Sequence, residues 1–262
     1  MPSIKSRYIK VGQLNIRYYQ GGQGEPLLII HGGNSHAKPW VKNMSQLYQN
    51  HTVYVPDLPG FGLSQAMEGN FYVPELVDFI DKFARAVGLE SFHLMGHSLG
   101  GGVAAGYSLQ FPQKVKKLIL IDSMCLGQDI ALWVRVASLS AFCSSVGKGL
   151  VALFQGVKWL TEATFRSMDF IIPISQASII IGSTSVTLHA QTVVLMQRLS
   201  EIIAPTLVVW GDNDRIVPVK QAYAAAMVIP DCQLKVFEDC GHSAYRERLP
   251  EFSQLVMRFL EK

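Results

Sequence analysis

The chain has 262 residues, of which 49% are apolar and 16% charged, with a formal net charge of +3. That length suits one large α/β domain or one domain with an insertion, and the apolar fraction excludes a disordered chain. No basic run accompanies the small positive charge, which argues against a nucleic-acid partner.

Cys125, Cys143, Cys232 and Cys240 show no C-x-x-C spacing, so neither a disulfide framework nor a metal site is expected. The first seven residues lack the apolar core of a secretory signal, and no apolar stretch reaches the ~18 residues of a spanning helix. The expectation is a soluble cytoplasmic protein without a membrane span.

In chain order, 7–11 and 14–19 read as two strands joined across Gly12-Gln13. Pro26–Ile30 is a continuous apolar strand, as expected where helices cover both faces of a sheet. It runs into His31-Gly32-Gly33-Asn34, and a helix is predicted over 39–50. The strand at 52–55 leads into the Pro/Gly-rich loop Pro56–Ser64. Leu76, Val77, Ile80, Phe83, Ala84 and Val87 recur at helical spacing, and Gly88 closes that helix.

A strand over 91–95 then meets Gly96-His97-Ser98-Leu99-Gly100, followed by a glycine- and alanine-rich helix start. Strand, sharp turn and helix is the context of a nucleophile elbow. The flanking glycines permit the tight turn, and the helix N-terminus points its positive end at Ser98. Another buried strand follows at 115–121. From 126 to 200 the rhythm changes to a helix-like apolar stretch with eight charged side chains. Alternation resumes with strands at 206–210 and 233–237 and helices at 219–228 and 251–260. Such alternation implies a mainly parallel sheet wrapped on both faces, with an antiparallel hairpin at one edge.

A serine nucleophile needs a base, and the base an orienting acid. Of seven histidines, His93 reads as packing, His97 as a neighbour whose side chain points elsewhere, and His31 as a loop brace. His36 and His51 read as surface residues, and His189 falls in the insertion. His242, in Asp239-Cys240-Gly241-His242, stands after the last strand and is the candidate base. Asp57, Asp122, Asp212 and Asp214 compete as the acid; Asp214 is preferred and Asp122 is the main rival. The order Ser, Asp, His agrees with a nucleophile elbow.

With these residues in place, the sequence resembles the α/β-hydrolase superfamily. The matching pieces are His31-Gly32-Gly33, Asp57–Ser64, Gly96–Gly101, Trp210–Asp214 and Gly241-His242. The resemblance implies an α/β-hydrolase fold, an eight-stranded mostly parallel sheet flanked by helices. It divides the chain into a core of 1–125 and 201–262 and a helical cap of 126–200, inserted after the sixth strand. It assigns Asp214 as the acid. It also makes the backbone N–H of Leu99, and that of Gly33 or Asn34, the oxyanion donors. Asn34 and the cap residue Trp133 are expected at the substrate. No metal or organic cofactor is implied. The expected reaction is hydrolysis of small to medium apolar esters through an acyl-enzyme on Ser98. A carbon–carbon bond hydrolase of the meta-cleavage type, a perhydrolase and a triad-retaining receptor are the alternatives.

Overall fold

The computed structural model describes residues 4–33, 35–43, 46–68, 72–132, 134–135 and 191–261. The strands are β1 (Lys5–Val11), β2 (Leu14–Gly22), β3 (Glu25–Ile30), β4 (His51–Pro56), β5 (Phe92–His97), β6 (Val115–Ile121), β7 (Thr206–Gly211) and β8 (Cys232–Phe237). They form one sheet in the order β1-β2-β4-β3-β5-β6-β7-β8. β1 and β2 make the expected hairpin, and β2 pairs antiparallel with β4. All further pairings are parallel. The described helices are α1 (Lys38–Asn43), α2 (Val73–Ala86), α3 (Leu99–Gln110), α4 (Lys220–Val228), α5 (Ala244–Glu247) and α6 (Leu249–Glu261).

The continuous apolar strands have a simple cause. Successive side chains leave opposite faces of a sheet, so each strand feeds two cores. Leu28, Ile30, Leu94, Leu120, Val208 and Trp210 pack with α2, α3 and α4. Leu27, Ile29, Met95, Ile121, Leu207 and Val209 pack with α1, α5 and α6. The spacing read in α2 buries Leu76, Val77, Ile80, Phe83 and Ala84 on one side. Gly88 ends α2 at φ 76°, with the Leu89 N–H donating to Ala84 O at 2.8 Å and its own N–H to Arg85 O at 3.1 Å. That double bond satisfies the last carbonyls and needs a left-handed residue, hence glycine.

One expected element is shorter than predicted. The helix expected over 39–50 is α1 followed by a separate 3₁₀ turn, Leu47–Gln49. Asn43 and Ser45 are weaker helix formers than Ala or Leu, so the sequence gives a continuous helix little support across that stretch. Of the stretch expected as a cap, 126–132, 134–135 and 191–200 are described. Its remainder, like Asn34 and Trp133, lies outside the described residues.

Two loops at the carboxyl ends of β3 and β4 are held by one buried carboxylate. Asp57 Oδ2 accepts from Arg17 Nε at 2.7 Å and from the Leu63 N–H at 3.0 Å, while Oδ1 accepts the Ala37 N–H at 2.7 Å. Asp57 is fully buried and Arg17 nearly so. Removing one partner leaves a buried charge uncompensated. Asp57→Ala is expected to cost about 3–5 kcal/mol, measured as a shift in urea unfolding; a loss within experimental error would remove Asp57 from this role.

Candidate active site

The elbow is built by close backbone approach. A Cβ on Gly96 would sit 2.1 Å from Gly100 O, and one on Gly100 would sit 2.4 Å from Ile30 O. Only glycine lets α3 start this close to β3 and β5. Ser98 between them has φ 53° and ψ −119°, a sparsely populated conformation for a side-chain-bearing residue. Its carbonyl accepts the N–H groups of Gly101, Gly102 and Met124 at 3.0, 3.2 and 3.0 Å, and its N–H donates to Ile121 O at 2.9 Å. The turn is thus pinned to the end of β6 on one side and to α3 on the other.

Three of the residues singled out in the sequence meet here. His242 Nε2 lies 2.9 Å from Ser98 Oγ, and His242 Nδ1 lies 2.8 Å from Asp214 Oδ2. The Asp214 side chain is fully buried, and 15% of the His242 side chain is exposed. Asp214 Oδ1 is satisfied by the N–H groups of Ile216 and Val217 at 2.8 and 3.0 Å. Two backbone donors and one imidazole therefore fix the carboxylate in place. Burial disfavours charge on His242, but Asp214, with Asp122 and Glu247 farther off, outweighs it and raises the pKa above its usual value.

Asp122, the rival acid, does other work. Its Oδ1 accepts the Gly211 N–H at 2.9 Å and its Oδ2 the Ala244 N–H at 3.0 Å. It ties the end of β6 to the end of β7 and to α5, just after His242. Burial raises its carboxyl well above the usual carboxylate range.

The other histidines divide cleanly. His31 braces its loop as expected: Nδ1 lies 2.7 Å from Gly32 O, and the Leu58 N–H donates to Nε2 at 3.0 Å. Since an N–H can only donate, Nε2 is the bare nitrogen and Nδ1 carries the proton. His93 is buried packing with Nε2 2.7 Å from Glu25. His51, expected at the surface, is 5% exposed and lies edge-on to His93 at 5.6 Å. Its position at the start of a central strand buries it. His97 does not point away from the site. Its Nε2–H donates to the backbone O of His242 at 2.7 Å, and its ring meets those of His242 and Tyr245 at 5.0 and 4.9 Å. Trp40 stacks on Tyr245 at 3.9 Å behind it. The missed signal was strand alternation: His97 shares the sheet face of Met95, where α5 carries Tyr245.

Leu99 occupies the first helical position of α3, where a backbone N–H has no intrahelical acceptor. A Cβ on Gly33 would lie 3.9 Å from the Leu99 side chain, so the two residues are neighbours at the mouth of the elbow. Among the described residues, no group of three His, Cys, Asp or Glu side chains is placed to hold a metal ion, and no helix is long and apolar enough to cross a membrane.

Residues 25–249 match the family described as alpha/beta hydrolase fold, and the chain belongs to that family. An uncharacterised protein of Mycobacterium tuberculosis is 30% identical, over 92% of this chain and 76% of its own. The 2-hydroxy-6-oxo-6-phenylhexa-2,4-dienoate hydrolase of Burkholderia cepacia is 28% identical over 98% of this chain and 97% of its own. The crystal structure of a membrane phospholipase A, a bacterial virulence factor, superposes with a TM-score of 0.79 at 26% identity, over 98% of this chain and 86% of its own. Family and relatives together define a hydrolase.

Buried neutral histidines leave a mark on stability. Burial holds His31 down to about 4 and His97 down to about 3. The unfolded chain takes up protons at these groups below ~6.5, and the folded chain does not. Their contribution is complete above that pH and is lost as pH falls toward 4. His51 and His93, also held down by burial, add to this loss, while the raised Asp122 and His242 take up protons in the fold and oppose it. With four depressed imidazoles against two raised groups, the urea midpoint is expected to drop on acidification from about pH 7 to about pH 4.5; a flat or rising midpoint would contradict the dominance of the buried neutral histidines.

Proposed function

We propose that the chain is a serine hydrolase of carboxylic esters carrying small to medium apolar acyl groups. The observation that carries this reading is the unbroken relay Ser98 Oγ, His242, Asp214 at the carboxyl end of the sheet. In it, Ser98 Oγ attacks the acyl carbonyl while His242 Nε2 takes its proton. Asp214 orients the ring and stabilises the imidazolium. The N–H of Leu99 and that of Gly33 receive the developing oxyanion, an interaction typically worth ~3 kcal/mol per donor. Asn34 is the alternative second donor and a substrate neighbour. His242 then protonates the leaving alcohol. In the second half His242 Nε2 takes a proton from the water that attacks the acyl-Ser98 carbonyl. It returns that proton to Ser98 Oγ as the acyl C–O bond breaks, releasing the acid. Every bond broken or formed is served by these groups, and the sequence of steps calls for no cofactor.

Residues 126–200 form the cap of this enzyme in the same reading, over a core of 1–125 and 201–262. The stretch supplies Leu132, Trp133, Phe142, Phe154, Trp159 and Phe165 and few charges, a composition suited to an apolar acyl chain. Carbon–carbon bond hydrolysis is the second reading. The full-length likeness to the Burkholderia dienoate hydrolase favours it. An assay of p-nitrophenyl esters beside a meta-cleavage dienoate separates the two.

Ser98→Ala is expected to lower ester turnover at least about a thousandfold with the fold intact. A fluorophosphonate should label Ser98 in the parent chain and nothing in the variant. Activity retained by Ser98→Ala would sink the assignment of the nucleophile.

Chain length tests the cap. Each buried methylene contributes up to ~0.8 kcal/mol until the pocket is full. kcat/KM is expected to rise from acetyl to butyryl or hexanoyl p-nitrophenyl esters and then to fall. A steady rise to palmitate, or a preference for a charged half-ester, would contradict an apolar closed pocket.

A further inference from the structure

Four non-glycine residues among those described hold positive φ: Ser98 at 53°, Asp122 at 44°, Cys125 at 68° and Asp239 at 50°. Strain of this kind persists only where surrounding contacts enforce it, and it concentrates at functional sites. Ser98 is the elbow. Asp122 ties strand ends together. Asp239 opens the short turn to His242. Cys125 has no part in the relay, yet it is the most rotated of the four and is 1% exposed.

What enforces Cys125 is Gln191, far along the chain and 4% exposed. Gln191 Oε1 accepts the Cys125 N–H at 2.8 Å, and its Nε2 donates to the carbonyls of Gly127 and Asp129 at 2.9 and 3.1 Å. Its backbone N–H donates to Gln128 O at 3.1 Å, and the Leu195 N–H donates to Cys125 O at 2.7 Å. A second buried amide, Gln221, donates to Asp129 O as well, and the Asp129 carboxylate pairs with Lys220 at 2.7 Å. The whole turn from Cys125 to Asp129 is thus clasped around one side chain.

The turn does not end there. The Ala131 N–H donates to Ile216 O at 2.9 Å. Ile216 then presents its own N–H to Asp214 Oδ1 at 2.8 Å. One peptide-bonded residue therefore touches the clasped segment with its carbonyl and the acid with its amide. Val217, the other donor to Asp214, is held through its carbonyl by Trp210 Nε1 at 3.1 Å.

We propose that Gln191 is a positioning residue for the proton relay, acting through the 125–131 segment and Ile216 on the Asp214 carboxylate. The proposal rests on the serine-hydrolase reading above. It explains why an amide rather than an apolar side chain is buried there, since only an amide can satisfy one N–H and two carbonyls of the turn at once. It also explains why the chain tolerates strain at Cys125. Contacts that a substrate makes with the segment leaving β6 would then be felt at the acid, and so in kcat.

Two variants cut this connection at different points. Gln191→Leu keeps the bulk and removes three hydrogen bonds; Ala131→Pro deletes the N–H that reaches Ile216. The readouts are the low-field proton resonance of His242 Nδ1–H and the pH profile of kcat/KM on p-nitrophenyl butyrate. In both variants the resonance should weaken or move, and the apparent pKa of His242 should fall toward ~6.5 as Asp214 loosens. kcat should fall about threefold to thirtyfold, with less change in KM. The double variant should be no worse than the more impaired single one, because both act through the same residue. Folded variants with an unchanged resonance and an unchanged apparent pKa overturn the proposal, even if their Tm is lowered. If Gln191→Leu does not fold, Ala131→Pro decides on the same readouts. Absence of ester turnover in the parent chain would count against the serine-hydrolase reading instead, and the resonance would still decide the positioning role.

Discussion

The structure depends on one close approach: the start of α3 driven against the ends of β3 and β5. Gly96 and Gly100 make it possible, since a single methyl at either would overlap backbone oxygen. The approach forces Ser98 into a strained turn and lifts its hydroxyl toward the carboxyl ends of the strands. It also places the free N–H end of a helix beside that hydroxyl. Everything else at the site is arranged to meet this fixed point. β7, two strands along from β5, delivers Asp214, and β8, one strand farther, delivers His242, all from the parallel part of the sheet.

Around the relay lies a layer of groups whose task is restraint. Asp122 accepts amides from the β7 end and from α5. His97 holds the carbonyl of His242, and His31 and Asp57 fasten the two loops beside the elbow. All are buried, and most bond to backbone rather than to other side chains. Such groups are costly to leave unpaired, so each specifies a loop geometry firmly. His242 sits where burial opposes the carboxylates of Asp214, Asp122 and Glu247, and the carboxylates prevail. Its proton affinity is thereby set above that of a free imidazole, which suits the base role proposed for it.

Most of the fold was legible because it is written in short-range patterns. Continuous apolar strands, the 3.6-residue spacing of α2 and the glycines at Gly88, Gly96 and Gly100 each have a local cause. The meeting of Ser98, Asp214 and His242 was legible through the elbow and the order of the chain. What stayed hidden depends on contacts distant in sequence. His97 and His242 are 145 residues apart, and Gln191 and Cys125 are 66 apart. Neither pairing leaves a periodic trace. The burial of His51 was missed for a related reason: a histidine at a strand start looks polar until its neighbour across the sheet, His93, is known.

The central claim is a covalent acyl intermediate on Ser98. Acid-quenched mass spectrometry of the protein mixed rapidly with p-nitrophenyl butyrate tests it most directly. The account predicts a transient butyryl adduct on the peptide that carries Ser98, decaying at the rate of steady-state turnover. Product formation with no adduct at any time, or an adduct on another residue, would contradict it.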